Sequence, residues 1–257
     1  MSESVRSILK RSETVVGAVR DCQRILAASV RAAERWGPGS VSKRYLADAP
    51  IKKLQIGAGP YALKGWLSTD ISPVSKDTMY LDATKRFPFA SETFDYVFSE
   101  HMIEHIPWRH GLGMLKECHR VLKPGGTLRI ATPDLAVMLR LYSQPDDMAK
   151  RYIAWITDNF LKGVPVYRPV FAINCVFYGW GHRFLYDAET LELAMRLAGF
   201  ASVERRTPGQ SDDPHLVGIE SHGTELDARE MAQFETMVLE AKRGPSPQLE
   251  TFTAPAP

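Results

Sequence analysis

The sequence is poor in cysteine and in net charge, and it has no long apolar run. Its three cysteines, Cys22, Cys118 and Cys175, are far apart and form no C-x-x-C pair, which argues against a disulfide framework or a zinc ribbon and favours a reducing compartment. No apolar run approaches the ~18 residues that cross a bilayer, and early basic residues interrupt any signal-peptide core. The net charge of only +2 gives no indication of nucleic-acid binding. We therefore expect a cytoplasmic protein, and its 257 residues of ordinary globular composition fit one large α/β domain.

Basic residues are concentrated in the N-terminal segment, residues 1–45, which carries nine Lys or Arg against four Asp or Glu. Apolar side chains recur there at alternating spacings of three and four residues from Val5 to Trp36, which predicts an amphipathic helix that ends at Gly37-Pro38-Gly39. Such a helix can pack on the rest of the chain, pair with its copy in a second subunit, or lie on an anionic membrane surface. The stripe has few large side chains, which argues against stable membrane insertion. A period near 3.5 favours helix pairing, so we predict a homodimer with residues 4–36 in its interface.

Short apolar runs alternate with helical patterns between residues 50 and 135, which is typical of strand–helix–strand units. These units have right-handed crossovers and build a parallel sheet whose ligand crevice lies at the carboxyl ends of the strands. A helix is predicted from Trp108 to Leu122, before the turn Lys123-Pro124-Gly125-Gly126. The predicted strands of this region are Lys53–Ile56, Trp66–Thr69, Met79–Leu81, Phe94–Phe98 and Thr127–Ala131.

The second half of the chain departs from this alternation. Residues 135–186 are interpreted as an inserted cap, which is followed by a helix over Asp187–Ala198 and a strand over Ser202–Arg206. A C-terminal helix is predicted over Glu225–Lys242, and the Pro-rich residues 243–257 are predicted to be disordered. The predicted domains are a helical extension (1–45), a main domain that contains the cap (50–224), a C-terminal helix (225–242) and a tail (243–257).

A glycine-rich loop directly follows the first predicted strand. Gly57-Ala58-Gly59 and Ala62 form G-x-G-x-x-A, in which glycine lets the backbone turn sharply and approach a ligand. Alone, the motif fits a plain strand-to-helix turn equally well. Asp70 ends the second strand, where a carboxylate can bind a ribose diol, but it comes only eleven residues after Gly59, so the intervening helix has at most a turn or two. Since Pro60 also removes an N–H donor, the loop fits a ribose-bearing ligand without phosphates better than NAD.

Several segments resemble class I S-adenosylmethionine-dependent methyltransferases, and in particular bacterial proteins of the methyltransferase-11-like type. They are LQIGAGP (54–60), STDI (68–71), LDAT (81–84), FPFASETFDYVFSEHMIEH (87–105) and RVLKPGGTLRIATPD (120–134). The resemblance implies a Rossmann-like, doubly wound, mostly parallel seven-stranded sheet, methyltransferase activity and S-adenosyl-L-methionine as cofactor. Bacterial proteins of this type are often associated with cell-envelope saccharide pathways, so an O-methylated saccharide or another small molecule of envelope or secondary metabolism is the expected acceptor.

The resemblance also implies a set of cofactor-binding residues. The glycine loop would contact the methionine and ribose portion, and the acid at the end of the second strand would hold the ribose hydroxyls. The acid after the third strand would accept a hydrogen bond from the adenine amine, and the two residues just past the fourth strand would line the sulfonium end. Gln55 stands where the family usually has an acid. The implied residues are Gln55, Gly57, Ala58, Gly59, Asp70, Ile71, Asp82, Ala83, Ser99 and Glu100.

A His/Glu cluster follows the fourth strand, with His101, Glu104 and His105 at i, i+3 and i+4, on one face of a helical start. H-x-x-E-H matches an inverted zincin motif, but zincin motifs lie within helices and this one follows a strand. An E-x-x-E-H arrangement binds divalent metal in quinone-biosynthesis O-methyltransferases and small-RNA 2′-O-methyltransferases, whereas in other family members a similar pair only orients the loop. We expect no metal. His101 and His105 are the candidate general bases, with His182 as a third, because an imidazole titrates near neutral pH.

Aromatic residues are concentrated in the cap: ten of the 25 in the chain lie within residues 152–186. Most are expected to form the core of the cap, and a few at the cleft edge can stack on a sugar or enclose an apolar acceptor. Two other functions remain open at this point. An NAD-dependent oxidoreductase is one, although no tyrosine begins the Y-x-x-x-K of short-chain dehydrogenases. A catalytically inactive binding or scaffold subunit is the other.

Overall fold

The computed structural model describes residues 41–223 and 228–245. The predicted N-terminal helix, its end at residues 37–39, and residues 246–257 of the tail lie outside this part of the chain. None of the helices in the described ranges is both long enough and apolar enough to span a membrane.

A seven-stranded sheet of order β3-β2-β1-β4-β5-β7-β6 forms the centre of the fold, which confirms the predicted fold class. All neighbouring strands are parallel except β7, which is antiparallel to both β5 and β6. The chain crosses from β3 back over β1 to β4, so the strand order reverses between β1 and β4 and a ligand crevice opens at their carboxyl ends. The strands are β1 (Lys53–Ile56), β2 (Leu67–Asp70), β3 (Met79–Tyr80), β4 (Phe94–Glu100), β5 (Leu122–Pro133), β6 (Ser202–Arg206) and β7 (Thr236–Lys242).

Seven α-helices accompany the sheet in the described residues. A 3₁₀ turn, Ile103–His105, follows β4, and a π-helical turn, Cys175–Gly179, lies in the cap. The helices are α1 (Val41–Asp48), α2 (Trp108–Val121), α3 (Leu135–Ser143), α4 (Asp147–Phe160), α5 (Pro169–Asn174), α6 (Ala188–Leu197) and α7 (Arg229–Glu235).

Apolar burial divides into a core on one face of the sheet, a smaller cluster on the other face, and the cap. α2 and α6 place Met114, Leu115 and Leu191, all fully buried, against the strands in the largest cluster. The opposite face is covered around Trp66 and Phe98 by the loop that contains Leu216. The cap has a cluster of its own, in which α3, α4 and α5 pack together. Four of the ten aromatic residues at 152–186 belong to this cluster, two belong to the main core and four are exposed, so the expectation that most of them form the core of the cap is wrong.

The C-terminal helix expected over Glu225–Lys242 is wrong in its second half. Residues Arg229–Glu235 are helical, but Thr236–Lys242 form β7 in the interior of the sheet. Five consecutive residues of β7 (237–241) are buried, so the strand has no polar–apolar alternation and its pattern resembles that of a helix. Glu240 is tolerated there because Arg129, opposite it on β5, forms an ion pair with it at 2.5 Å.

Three smaller expectations also need correction. No helix lies between Gly59 and the start of β2 at Leu67, where the backbone makes turns and irregular structure. β4 continues through Ser99 and Glu100, because β1 and β5 supply hydrogen-bonding partners on both of its sides. α1 was not predicted; its Tyr45 hydroxyl donates to Gly65 O at 3.1 Å and accepts from Lys53 N at 2.7 Å, which joins the helix to β1 and the following loop.

Candidate active site

Two cavities meet at the carboxyl ends of β1 and β4. We call the first, of about 440 Å³, the nucleoside cavity; it extends past the ends of β2 and β3. We call the second, of about 300 Å³, the acceptor cavity; it extends under the cap. Gly57, Gly59, His101 and His105 line both cavities and therefore form the junction between them.

The glycine loop provides close backbone approach at this junction. Gly57 has a φ of +73°, and a Cβ there would lie 2.4 Å from Met102 Cγ, so only glycine fits. Gly59 has a φ of +52°, and a Cβ there would meet nothing within 4 Å, which leaves open space over the backbone. The N–H groups of Gly57 and Ala58 both donate to Thr69 O, at 2.9 and 3.0 Å. The loop thus has the shape that a closely held ligand requires.

Two carboxylates line the nucleoside cavity. Asp70 Oδ2 accepts from Gly59 N at 2.8 Å, and its Oδ1 accepts from Ser72 N at 2.7 Å, so the side chain links the ends of β1 and β2. Asp82 uses one oxygen, Oδ1, for the N–H and hydroxyl of Thr84. Ile71 and Ala83 also line this cavity. A cavity lined by two acids and by apolar side chains fits a nucleoside, whose ribose and base carry polar groups on a flat apolar body.

Four of the residues expected to bind the cofactor do not line the nucleoside cavity, and one of them, Ala58, lines the acceptor cavity. Gln55 is buried at the edge of the acceptor cavity; its Oε1 accepts from Leu63 N and Ser68 Oγ, and its Nε2 donates to Tyr61 O. Its amide therefore holds the segment 61–63, which follows the glycine loop, and contacts Ser68 on β2. Ser99 is 1% exposed within β4 and lines neither cavity. Glu100 lines the acceptor cavity rather than the nucleoside cavity.

Aromatic rings of the cap form one wall of the acceptor cavity. Trp155 and Trp180 each pack edge-to-face against Phe160, at ring-centroid distances of 5.2 and 5.1 Å. Trp180 also contacts the ring of His182 at 5.9 Å. Polar side chains line the cavity as well: His101, Glu100, Ser221, His222 and Glu235. A ligand in this cavity can therefore meet both an apolar surface and hydrogen-bonding groups.

His101 forms a buried pair with Glu104. Its Nδ1 lies 3.4 Å from Glu104 Oε1, and its Nε2 lies 3.0 Å from Thr236 Oγ1, so both ring nitrogens face protein groups. Burial opposes the charge on both partners, but their mutual contact outweighs it: the pKa of His101 is raised and the pKa of Glu104 is lowered. His101 also has a φ of +44°, which is strained for a non-glycine residue and occurs where the chain leaves β4 for the 3₁₀ turn.

His105 and His182 form a second pair of rings, edge-to-face at 4.7 Å. His182 lies next to His105 because Arg183 N and Phe184 N donate to Glu104 O, and these bonds join the end of the cap to the 3₁₀ turn. Burial lowers the pKa of His182, so its ring is uncharged at neutral pH. The structure thus brings the three predicted histidines together. Ligand atoms of Glu104, His105 and His182 lie within 4.8 Å of one another, as do those of His101, His222 and Glu235, so either group could hold a metal ion.

Sequence reasoning missed His222, Ser221 and Glu235. The ring of His222 stacks on His101 at 3.8 Å and 19°, and its Nε2 lies 3.7 Å from Glu235 Oε1. Glu235 is 4% exposed and also accepts a hydrogen bond from Tyr152. These residues lie in a loop and at a helix end with no recognisable motif, and only long-range contacts bring them to the site.

Residues 63–130, from just before β2 to within β5, match a family model described as a methyltransferase domain. No protein of curated function matches the sequence. The chain is similar to three solved structures of S-adenosylmethionine-dependent methyltransferases. The first is a possible histamine N-methyltransferase from Thermotoga maritima, with 18% identity, 92% of this chain and 99% of that chain covered, and a TM-score of 0.43. The second, from Archaeoglobus fulgidus, has 13% identity, 86% of this chain and 94% of that chain covered, and a TM-score of 0.43. The third, from Mesorhizobium loti, has 15% identity, 80% of this chain and 99% of that chain covered, and a TM-score of 0.44.

Proposed function

We propose that the chain is a class I S-adenosylmethionine-dependent methyltransferase, which the match of residues 63–130 to a methyltransferase-domain model supports, and that it methylates a hydroxyl group of a saccharide or a similar small acceptor. The observation that carries the proposal is the junction of the two cavities, because His101 and His105 line both of them. A proton acceptor is needed at that point when a hydroxyl group is methylated.

The residues of the nucleoside cavity fit the cofactor. We propose that Asp70 and Ile71 bind the ribose, that Asp82 and Ala83 contact the adenine, and that the loop Gly57–Gly59 approaches the methionine portion. The open space over Gly59 and the two carboxylates support these roles. When bound, the cofactor supplies an electrophilic methyl group on a sulfonium. The chain's own contribution is to bind and orient it and to keep water away.

His105 is the proposed general base. Both ring nitrogens of His101 already face Glu104 and Thr236, whereas neither ring nitrogen of His105 makes a hydrogen bond within the described residues. An unprotonated nitrogen of the His105 ring would take the proton of the acceptor hydroxyl as the new C–O bond forms. His182, which is uncharged and packs edge-on against His105, would hold that ring in place.

The lining of the acceptor cavity supports a saccharide as the acceptor. A sugar ring has an apolar C–H face that stacks on aromatic rings and an edge of hydroxyl groups that need hydrogen bonds. Trp155, Phe160 and Trp180 provide the aromatic wall, and His222 and Glu235 provide hydrogen-bonding groups. The cavity of about 300 Å³ can hold one or two sugar rings.

Calorimetry and a methylation assay test the proposal. S-adenosylhomocysteine should bind the full chain and NADH should not. Labelled S-adenosylmethionine should then transfer label to members of a panel of monosaccharides and glycosides more readily than to matched amines. If amines alone accept the label, the hydroxyl assignment is wrong.

With an acceptor from that panel, His105→Ala should lower turnover about 10²–10⁴-fold while affinity for S-adenosylhomocysteine changes by less than about threefold. His110→Ala, at an exposed position of α2, is the matched control and should leave turnover unchanged. A chelator should have little effect. Strong inhibition that added metal reverses would instead assign Glu104, His105 and His182 to a metal site.

A further inference from the structure

The carboxylate of Glu100 is engaged by a loop that is distant in sequence. Its Oε2 accepts from the N–H and the hydroxyl of Ser221, at 2.9 and 3.0 Å. Its Oε1 accepts from the N–H of His222 at 3.0 Å and is 3.1 Å from Ser221 N. The partners are 121 and 122 residues away along the chain. Both carboxylate oxygens at the end of β4 therefore bind the backbone of this loop.

The same loop is fixed a second time, just before Ser221. Glu220 forms an ion pair at 2.6 Å with Arg129, whose side chain is fully buried on β5, and it accepts from Gly209 N at 3.0 Å. Arg129 also donates to Gln210 O at 3.0 Å. Since Glu220 holds the loop on the sheet, Glu100 has only to set the position of the residues that follow Glu220 in the chain.

The position of Ser221 determines where His222 lies. Its ring stacks on His101 at 3.8 Å and faces Glu235 at 3.7 Å, and Ser221, His222 and Gly223 all line the acceptor cavity. Without Glu100, the N–H groups of Ser221 and His222 would lose their acceptors, and nothing in β4 would hold the imidazole against His101.

We propose that Glu100 is a positioning residue: it holds the segment 221–223 so that His222 stacks on His101 and completes the wall of the acceptor cavity. It is not a ligand of the cofactor. The proposal rests on the proposed function only where it assigns this cavity to the acceptor, because the position of the loop and the affinity for the cofactor product can both be measured without an acceptor.

The test compares Glu100→Gln and Glu100→Asp with the wild-type full chain, with S-adenosylhomocysteine as the probe. In Glu100→Gln the side-chain amide group turns N–H donors toward the backbone N–H groups of Ser221 and His222. Glu100→Asp keeps the carboxylate charge but is one methylene shorter, so it reaches these N–H groups less well. In both variants, amide hydrogen exchange of residues 218–223 should accelerate by at least about tenfold. The affinity for S-adenosylhomocysteine should stay within about threefold of wild type.

Nuclear magnetic resonance of the histidine rings gives a readout that a purely structural role would not move. The ring signals of His101 should shift in Glu100→Asp, which keeps the negative charge near His101, as they do in His222→Ala, and the double variant should show no further shift beyond His222→Ala, since both changes disturb the same stacked ring. Glu189→Gln, at an exposed position in the first turn of α6, is the matched control and should change nothing.

Two outcomes would overturn the proposal. In the first, both Glu100 variants leave the exchange of residues 218–223 and the His101 signals as in wild type. In the second, affinity for S-adenosylhomocysteine falls by more than about tenfold while exchange is unchanged, which would make Glu100 a cofactor ligand. If the Glu100→Gln variant does not fold, the Glu100→Asp and Ser221→Ala variants still test the proposal. Ser221→Ala removes only the hydroxyl donor and should accelerate exchange less than the Glu100 changes do.

Discussion

At the scale of single residues, Asp70 links the two loops that form the nucleoside cavity. It already accepts from Gly59 N and Ser72 N, so it is held in place before any ligand arrives. Such prior order lowers the entropic cost of binding a ribose. The same two bonds mean that Asp70 has a structural role as well as the proposed binding role, and a test must separate the two.

Asp70→Ala should weaken binding of S-adenosylhomocysteine by about 1.5–3 kcal/mol, the range for hydrogen bonds to a charged group. Asp70→Asn is the companion variant, since its amide oxygen retains one acceptor. Calorimetry measures the affinities, and chemical denaturation measures the free energy of unfolding in parallel. Unchanged affinity in a folded Asp70→Ala variant would remove Asp70 from the ribose site.

The His101–Glu104 pair predicts a pH dependence of stability. Because the pKa of His101 is raised above its ordinary value of 6.5, its contribution is complete below that value and is lost as pH rises through the raised pKa. Because the pKa of Glu104 is lowered from 4.5, its contribution is present above 4.5 and is lost as pH falls through the lowered pKa. The pair therefore stabilises the fold most between these two ordinary values.

The free energy of unfolding of wild type, Glu104→Gln and His101→Gln should be measured by denaturation across this pH range. We expect the advantage of wild type over either variant to be largest between about pH 5 and 6.5 and to decrease at alkaline pH. An advantage that keeps growing above neutral pH would mean that the two residues are not paired as ions.

At the scale of elements, most strands of the sheet were easier to predict than the segments that pack on it. Lys53–Ile56 and Ser202–Arg206 match their predicted strands, because each is a short run bounded by turn or breaker residues. The glycine loop and Asp70 could be located for the same reason. Thr236–Lys242 could not be identified as a strand, since burial of five consecutive residues removes the period of two. His222 was missed because its place depends on contacts with Glu100 and His101, more than a hundred residues away.

The contact between β5, β7 and the loop around Glu220 depends on Arg129. Its guanidinium is fully buried and forms ion pairs with Glu220 and Glu240. Arg129→Met removes the buried cation from both carboxylates and leaves Glu240 with the longer contact to Arg206 at 3.3 Å, so the free energy of unfolding should fall by about 3–5 kcal/mol. Denaturation curves measure this loss, with Arg196→Met on the exposed face of α6 as the control. A loss below about 1 kcal/mol would show that water replaces the guanidinium.

At the scale of the whole molecule, the association of subunits stays a prediction from the sequence. Residues 4–36 lie outside the described part of the chain, and their period near 3.5 is what favours pairing with a second copy. α1, which begins at Val41, packs on the main core through Val41, Tyr45 and Leu46. A chain that starts near Ser40 therefore keeps these contacts.

Light scattering on the full chain and on a chain that starts at Ser40 tests this prediction. The full chain should be a dimer and the shortened chain a monomer. A monomeric full chain would rule the dimer out, and a shortened chain that remains dimeric would place the interface outside residues 4–36. Calorimetry with S-adenosylhomocysteine on both chains shows whether the shortened one remains folded.

The position of β7 also determines the order in which the strands can join the sheet while the chain is being synthesised. β7 lies between β5 and β6 and, among the strands of the described residues, it alone pairs with β6, so β6 has no place in the sheet until residues 236–242 have left the ribosome. Until then β5 presents an open hydrogen-bonding edge, more than a hundred residues after that strand was made. A nascent chain stalled before residue 236 should therefore be more prone to aggregation than one stalled past residue 245, and it should depend more on chaperones.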